Sequence, residues 1–147
     1  MGIFDFLKPK KIQDDFFGEL SFSSGKNALF EGEKIFLPTG EKIGLTIISD
    51  GSTPTQSQRD FYEAIENNYN TIKEKSIPLI IKEFNDWQDN FETKNFDIEF
   101  AIESIKIPDL NKSPINWEIC YTTIHDKDHW IIINLLSFEP ISVIIDG

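Results

Sequence analysis

Apolar and polar residues alternate along the first third of the chain. Ile43, Leu45 and Ile47 share one face of a strand near 42–49, and earlier strands fall near 16–23 and 28–37. "SSGKN" and "PTGEK" between them supply turn residues, so the three strands form a meander. The period then becomes helical. Thr53 as N-cap, Pro54 at the first helical position and Gln56 closing a capping box predict a helix start. Its apolar stripe is Phe61, Ile65, Tyr69 and Ile72. A second helix is expected over "EKSIPLIIKEFNDWQDNF", capped by Ser76, with Pro78 in its first turn, where a missing N–H does little harm. Its stripe is Ile77, Ile80, Ile81, Phe84, Trp87 or Gln88, and Phe91.

Alternation returns in "NFDIEFAIESIKI". Phe96, Ile98, Phe100 and Ile102 are expected inward, and Asp97, Glu99 and Glu103 outward. The phase then changes before Ile105 and Ile107, as a β-bulge near Ser104 would make it. Three more strands fall near 116–124, 129–137 and 140–145. The expected fold is therefore α+β. An antiparallel sheet is built from a three-stranded N-terminal meander and a four-stranded C-terminal meander, with two central helices packed on it. Residues 15–147 form one domain, and residues 1–14 are set apart as an N-terminal segment. The 147 residues suffice to bury a core without disulfides or metal.

Charge changes the picture more than composition does. The net charge of −11 argues against nucleic-acid binding and favours a basic protein partner. The apolar runs are too short for a membrane span. The N-terminus is too short and too charged for a secretory signal, and Phe6 stands where N-myristoylation wants Ser or Thr. Ile3, Phe4, Phe6 and Leu7, beside Lys8, Lys10 and Lys11, suggest a segment that docks on a membrane or a partner. One cysteine, Cys120, forms no internal disulfide, so nothing points to an oxidising compartment. Its strand-like flanks predict a buried, inert thiol.

Acids gather in one stretch. Glu83, Asp86, Asp89 and Glu92 decorate the second expected helix, and Asp97, Glu99 and Glu103 the strand after it; Lys94 opposes them. Such a run is either a solvated face or a docking surface for a basic partner.

The candidate chemistry lies in "TTIHDKDHWIII". A turn with Asp126 and Lys127 at its tip sends His125 and His129 to opposite faces. A three-residue Asp126–Asp128 loop makes them a cross-strand pair, and this register segregates apolar residues better. Even then two imidazoles fall short of the three or four protein ligands of a zinc site, and Asp is common in turns. Neither GxSxG, a P-loop nor GxGxxG occurs, and no cofactor is implied.

Several positions resemble a family of small uncharacterised bacterial domains. They are Phe17, Gly18 and Leu20; Phe30 and Gly32; Gln58, Arg59 and Phe61; and, near the C-terminus, Asp126, Lys127, Asp128 and His129. The match covers roughly residues 15–70 and, more loosely, 116–147. The resemblance implies a cytoplasmic α+β domain with no assigned activity, of a class suspected to act as immunity proteins against contact-delivered toxins. It supplies no catalytic residues.

The expected function is a non-catalytic acidic module that neutralises a basic partner through Glu83, Asp86, Asp89, Glu92, Asp97, Glu99 and Glu103. The alternatives are a metal-dependent or acid/base enzyme using His125 and His129, and an envelope-associated module docking through its N-terminal segment.

Overall fold

The computed structural model describes residues 10–23, 28–49, 51 and 53–146. The apolar N-terminal positions Ile3, Phe4, Phe6 and Leu7 lie outside the described residues.

The fold is α+β, with one eight-stranded sheet and one main helix. The first four strands are β1 (Lys10–Asp14), β2 (Gly18–Ser23), β3 (Leu29–Phe36) and β4 (Glu41–Ile48). The helix α1 (Gln56–Asn85) follows, then a single turn, α2 (Phe96–Glu99). The chain ends with β5 (Phe100–Ile107), β6 (Asn116–Thr123), β7 (Asp126–Leu136) and β8 (Glu139–Asp146). Strand order follows chain order, and every neighbouring pair is antiparallel except β4 and β5. A hairpin cannot join parallel neighbours, so the long α1 crossover falls at that point.

Two expectations about the layout need correction. The N-terminal half holds four strands rather than three, because residues 10–14 pair with β2 as β1. The two central helices are one. Ser76 does not cap a new helix; its Oγ donates back to the Ile72 carbonyl at 2.7 Å. Pro78 sits inside α1. The helix continues because the buried stripe Ile65, Tyr69, Ile72, Ser76, Ile80 and Phe84 stays in phase across both local stop signals. The start moves as well: Thr55 is the N-cap, and the capping box is closed by Gln58 rather than Gln56. The Gln58 side chain also donates to the Ile48 and Pro108 carbonyls, tying the helix start to the ends of β4 and β5.

That helical stripe packs on inward residues of the sheet, among them Leu20, Phe30, Leu45, Ile105, Ile119 and Ile133. The expected bulge lies between Ile102 and Ser104. Two glycines of the resemblance are structural. Gly18 has φ +81°, which a side chain would strain, and a Cβ on Gly32 would meet Leu20 Cδ2 at 2.6 Å and the Glu19 carbonyl at 2.9 Å.

Candidate functional site

Most of the expected acids, and both histidines, lie toward one end of the molecule. The C-terminus of α1, the loop after it, α2 and the β6–β7 turn all converge there. Phe84 from the last turn of α1 stacks on Phe91 from the loop, with ring centroids 4.4 Å apart. His125 stands edge-on to Phe91 at 4.9 Å, with Phe100 beyond it at 5.9 Å. Among the described residues, the imidazole's hydrogen-bond partner is Glu99.

Glu99 departs from its expected role. The strand expected from residue 96 begins at Phe100, because residues 96–99 wind into α2. Glu99 therefore turns inward and is only 8% exposed, while Ile98 turns outward. One carboxylate oxygen lies 2.5 Å from His125 Nε2. The other accepts from the Asn95 N–H at 2.5 Å, the Lys94 N–H at 2.8 Å and the Thr93 hydroxyl at 3.1 Å. The Asn95 N–H and then His125 hold its pKa down to about 2, against the opposing effect of burial. An ionised carboxylate only accepts, so His125 Nε2 carries the hydrogen of this bond. The Glu99 carbonyl in turn accepts from the Ile124 N–H and the Thr123 hydroxyl. Glu99 thus fastens the loop to the β6–β7 turn; it is no part of a solvent-facing acidic surface.

The histidine register matches neither expected turn. Thr123 pairs with Asp126, so the turn is Ile124–His125. Tyr121 then pairs with Ile131, and β7 carries the surplus residues between these two rungs as a bulge. His129 lies in that bulge. Its Nδ1 is 2.7 Å from Asp126 Oδ2, while the Asp128 N–H donates to Asp126 Oδ1. The hydrogen bond with Asp126 raises the His129 pKa and lowers that of Asp126. The histidines therefore take separate carboxylates and are not a cross-strand pair. Among the described residues, no three His, Cys, Asp or Glu side chains are grouped to hold a metal ion.

The other acids divide. Glu83 is half-buried in the last turn of α1, Asp86 is its C-cap, and Asp89 and Glu92 are exposed in the loop. Asp97 is exposed and held by Lys73 Nζ at 3.0 Å. Glu103 sits apart, on the β5 bulge, where its charge adds to burial in pushing the Cys120 thiol up to about 11. At neutral pH that thiol is protonated and a poor nucleophile.

The apolar side chains left exposed at this end were not expected. Trp87 is 71% exposed, Ile98 73% and Ile124 61%. The helical period expects Trp87 or Gln88 on a buried stripe, but α1 ends at Asn85. The strand alternation expects Ile98 inward, but it stands on α2 and faces outward.

No protein-family model, characterised protein or solved structure matches the chain.

Proposed function

We propose that this chain is a non-catalytic acidic binding module that neutralises a basic protein partner, a toxin domain being the form the family resemblance suggests. The carrying observation is where the acids stand. A helix C-terminus is the negative pole of the helix dipole and favours cations. Here the last turn of a 30-residue helix and the loop after it hold Glu83, Asp86, Asp89 and Glu92, against Lys82 in that turn. None of the four makes an ion pair with another described residue. Stability is forgone locally, and such departures from local rules concentrate at functional sites. A cationic partner would relieve both the repulsion among the carboxylates and the unfavourable helix end.

The test is calorimetry and stopped-flow binding against the product of the neighbouring gene and against an arginine-rich peptide as a defined cationic probe. With Glu83, Asp86, Asp89 and Glu92 changed to Lys, the association rate should fall and its salt dependence should flatten. Unchanged rate and unchanged salt dependence would refute the reading.

A further inference from the structure

The acids account for attraction but not for tight binding, since exposed charge pairs contribute little each. Binding energy concentrates in apolar and aromatic anchors that become buried. Trp87, Ile98 and Ile124 are among the most exposed large apolar side chains of the molecule. All three stand on the segments that the Glu99–His125 pair and its aromatic wall bring together. Ile98 precedes Glu99, and Ile124 precedes His125 and donates its N–H to the Glu99 carbonyl. Trp87 N–H donates to the carbonyl of Phe84, whose ring lines the same aromatic wall. The pair fixes the backbone beside Ile98 and at Ile124, and the Phe84 carbonyl holds that of Trp87, so little order is lost on binding.

We propose that Trp87, Ile98 and Ile124 form the apolar centre of a docking surface for an amphipathic segment, one that combines arginine or lysine with large apolar side chains. This rests on the acidic-module reading and deepens it. The occupant follows from charge complementarity. Asp86, Asp89 and Glu92 share the helix end and loop that carry Trp87, Asp126 and Asp128 follow Ile124 just beyond the turn, and Lys94 and Lys127 offset them only in part. A purely apolar partner would leave those carboxylates unpaired. A purely cationic one would leave the indole and both isoleucines in water.

Two synthetic peptides of equal charge and length separate the possibilities, one alternating arginine with leucine and one alternating arginine with serine. The full chain should bind the leucine peptide at least about tenfold more tightly. The triple variant Trp87→Ser, Ile98→Ser, Ile124→Ser should lose that advantage while binding the serine peptide as before. Its circular dichroism and melting curve should match those of the parent, because the three side chains are exposed. Equal affinity of the parent for both peptides, or an undiminished advantage in the triple variant, would overturn this inference and leave the acidic module standing. Failure to bind either peptide would overturn both. Sedimentation with neutral phosphatidylcholine vesicles that depends on the three side chains would also overturn the inference, by making the anchors lipid-facing.

Discussion

The Glu99 carboxylate and the His125 imidazole lie 2.5 Å apart, and they join two parts of the chain that nothing in the sequence marks as neighbours. Glu99 ends a one-turn helix, and His125 sits in a two-residue hairpin turn. One carboxylate accepts from four donors there, so its loss frees the loop that carries Asp89 and Glu92 as well as the turn that carries Ile124.

Glu99→Ala should lower the melting temperature more than Glu99→Gln, which keeps one acceptor and similar volume. The pH dependence has a definite sign. The folded pKa lies near 2, below the ordinary 4.5, so ionised Glu99 favours the folded state. That contribution is fully present above about pH 4.5 and is lost as the pH falls toward 2. The stability gap between the parent and Glu99→Gln should therefore shrink as the pH falls from about 4.5 toward 2. A gap that failed to shrink in that window would contradict this role for Glu99.

Seven of the eight strands were legible because alternation is a local property, whereas β1 was not. Ile43, Leu45 and Ile47 are all buried, and the phase change before Ile105 located a real bulge. The joints were not legible, because tertiary packing decided them. Ser76 and Pro78 are sound local signals for a helix start, yet an unbroken apolar stripe carries α1 through both. Phe96 and Ile98 alternate like a strand, but Phe96 alone is buried, and the turn at Asn95 places Glu99 against His125. The surplus residues of β7 have no signature at all. The acids at this end were largely readable, and its exposed apolar side chains and the Glu99–His125 contact were not.

Pro78 gives a prediction with the opposite sign from most substitutions. It lies in an exposed position inside α1 and cannot donate to the Glu74 carbonyl. Restoring the donor with Pro78→Ala should stabilise the protein by about 1–3 kcal/mol in guanidinium titration. A loss of stability would mean that α1 is shaped around a bend at this proline.

Gly32 is a tighter constraint than its half-buried place in β3 suggests. Its missing Cβ leaves room for Leu20 and the Glu19 carbonyl of the neighbouring strand, and the latter is backbone that cannot turn aside. Gly32→Ala should cost about 1–3 kcal/mol, as overpacking does. Leu20→Ala in the same chain should recover part of that loss, less its own cavity cost. A double variant no more stable than the sum of the singles would place the strain in the backbone contact alone.

The acidic helix end predicts that stability and binding trade against each other. Asp86 caps α1 at its negative pole, and Asp89 follows within a turn's length. Replacing both by Lys exchanges repulsion for attraction with the helix dipole and should stabilise the fold by about 0.3–1 kcal/mol per site at low salt. The same variant should bind the arginine–leucine peptide more weakly, with most of the change in the association rate. Denaturant titration and stopped-flow measurements at two salt concentrations read the two effects separately. If the acids were only a solvated surface, the stabilisation would appear with binding unaffected. If they served the fold, for example through an ion pair that forms in solution, the variant would lose stability instead. Greater stability together with weaker, less salt-sensitive binding is the outcome that only a docking role produces.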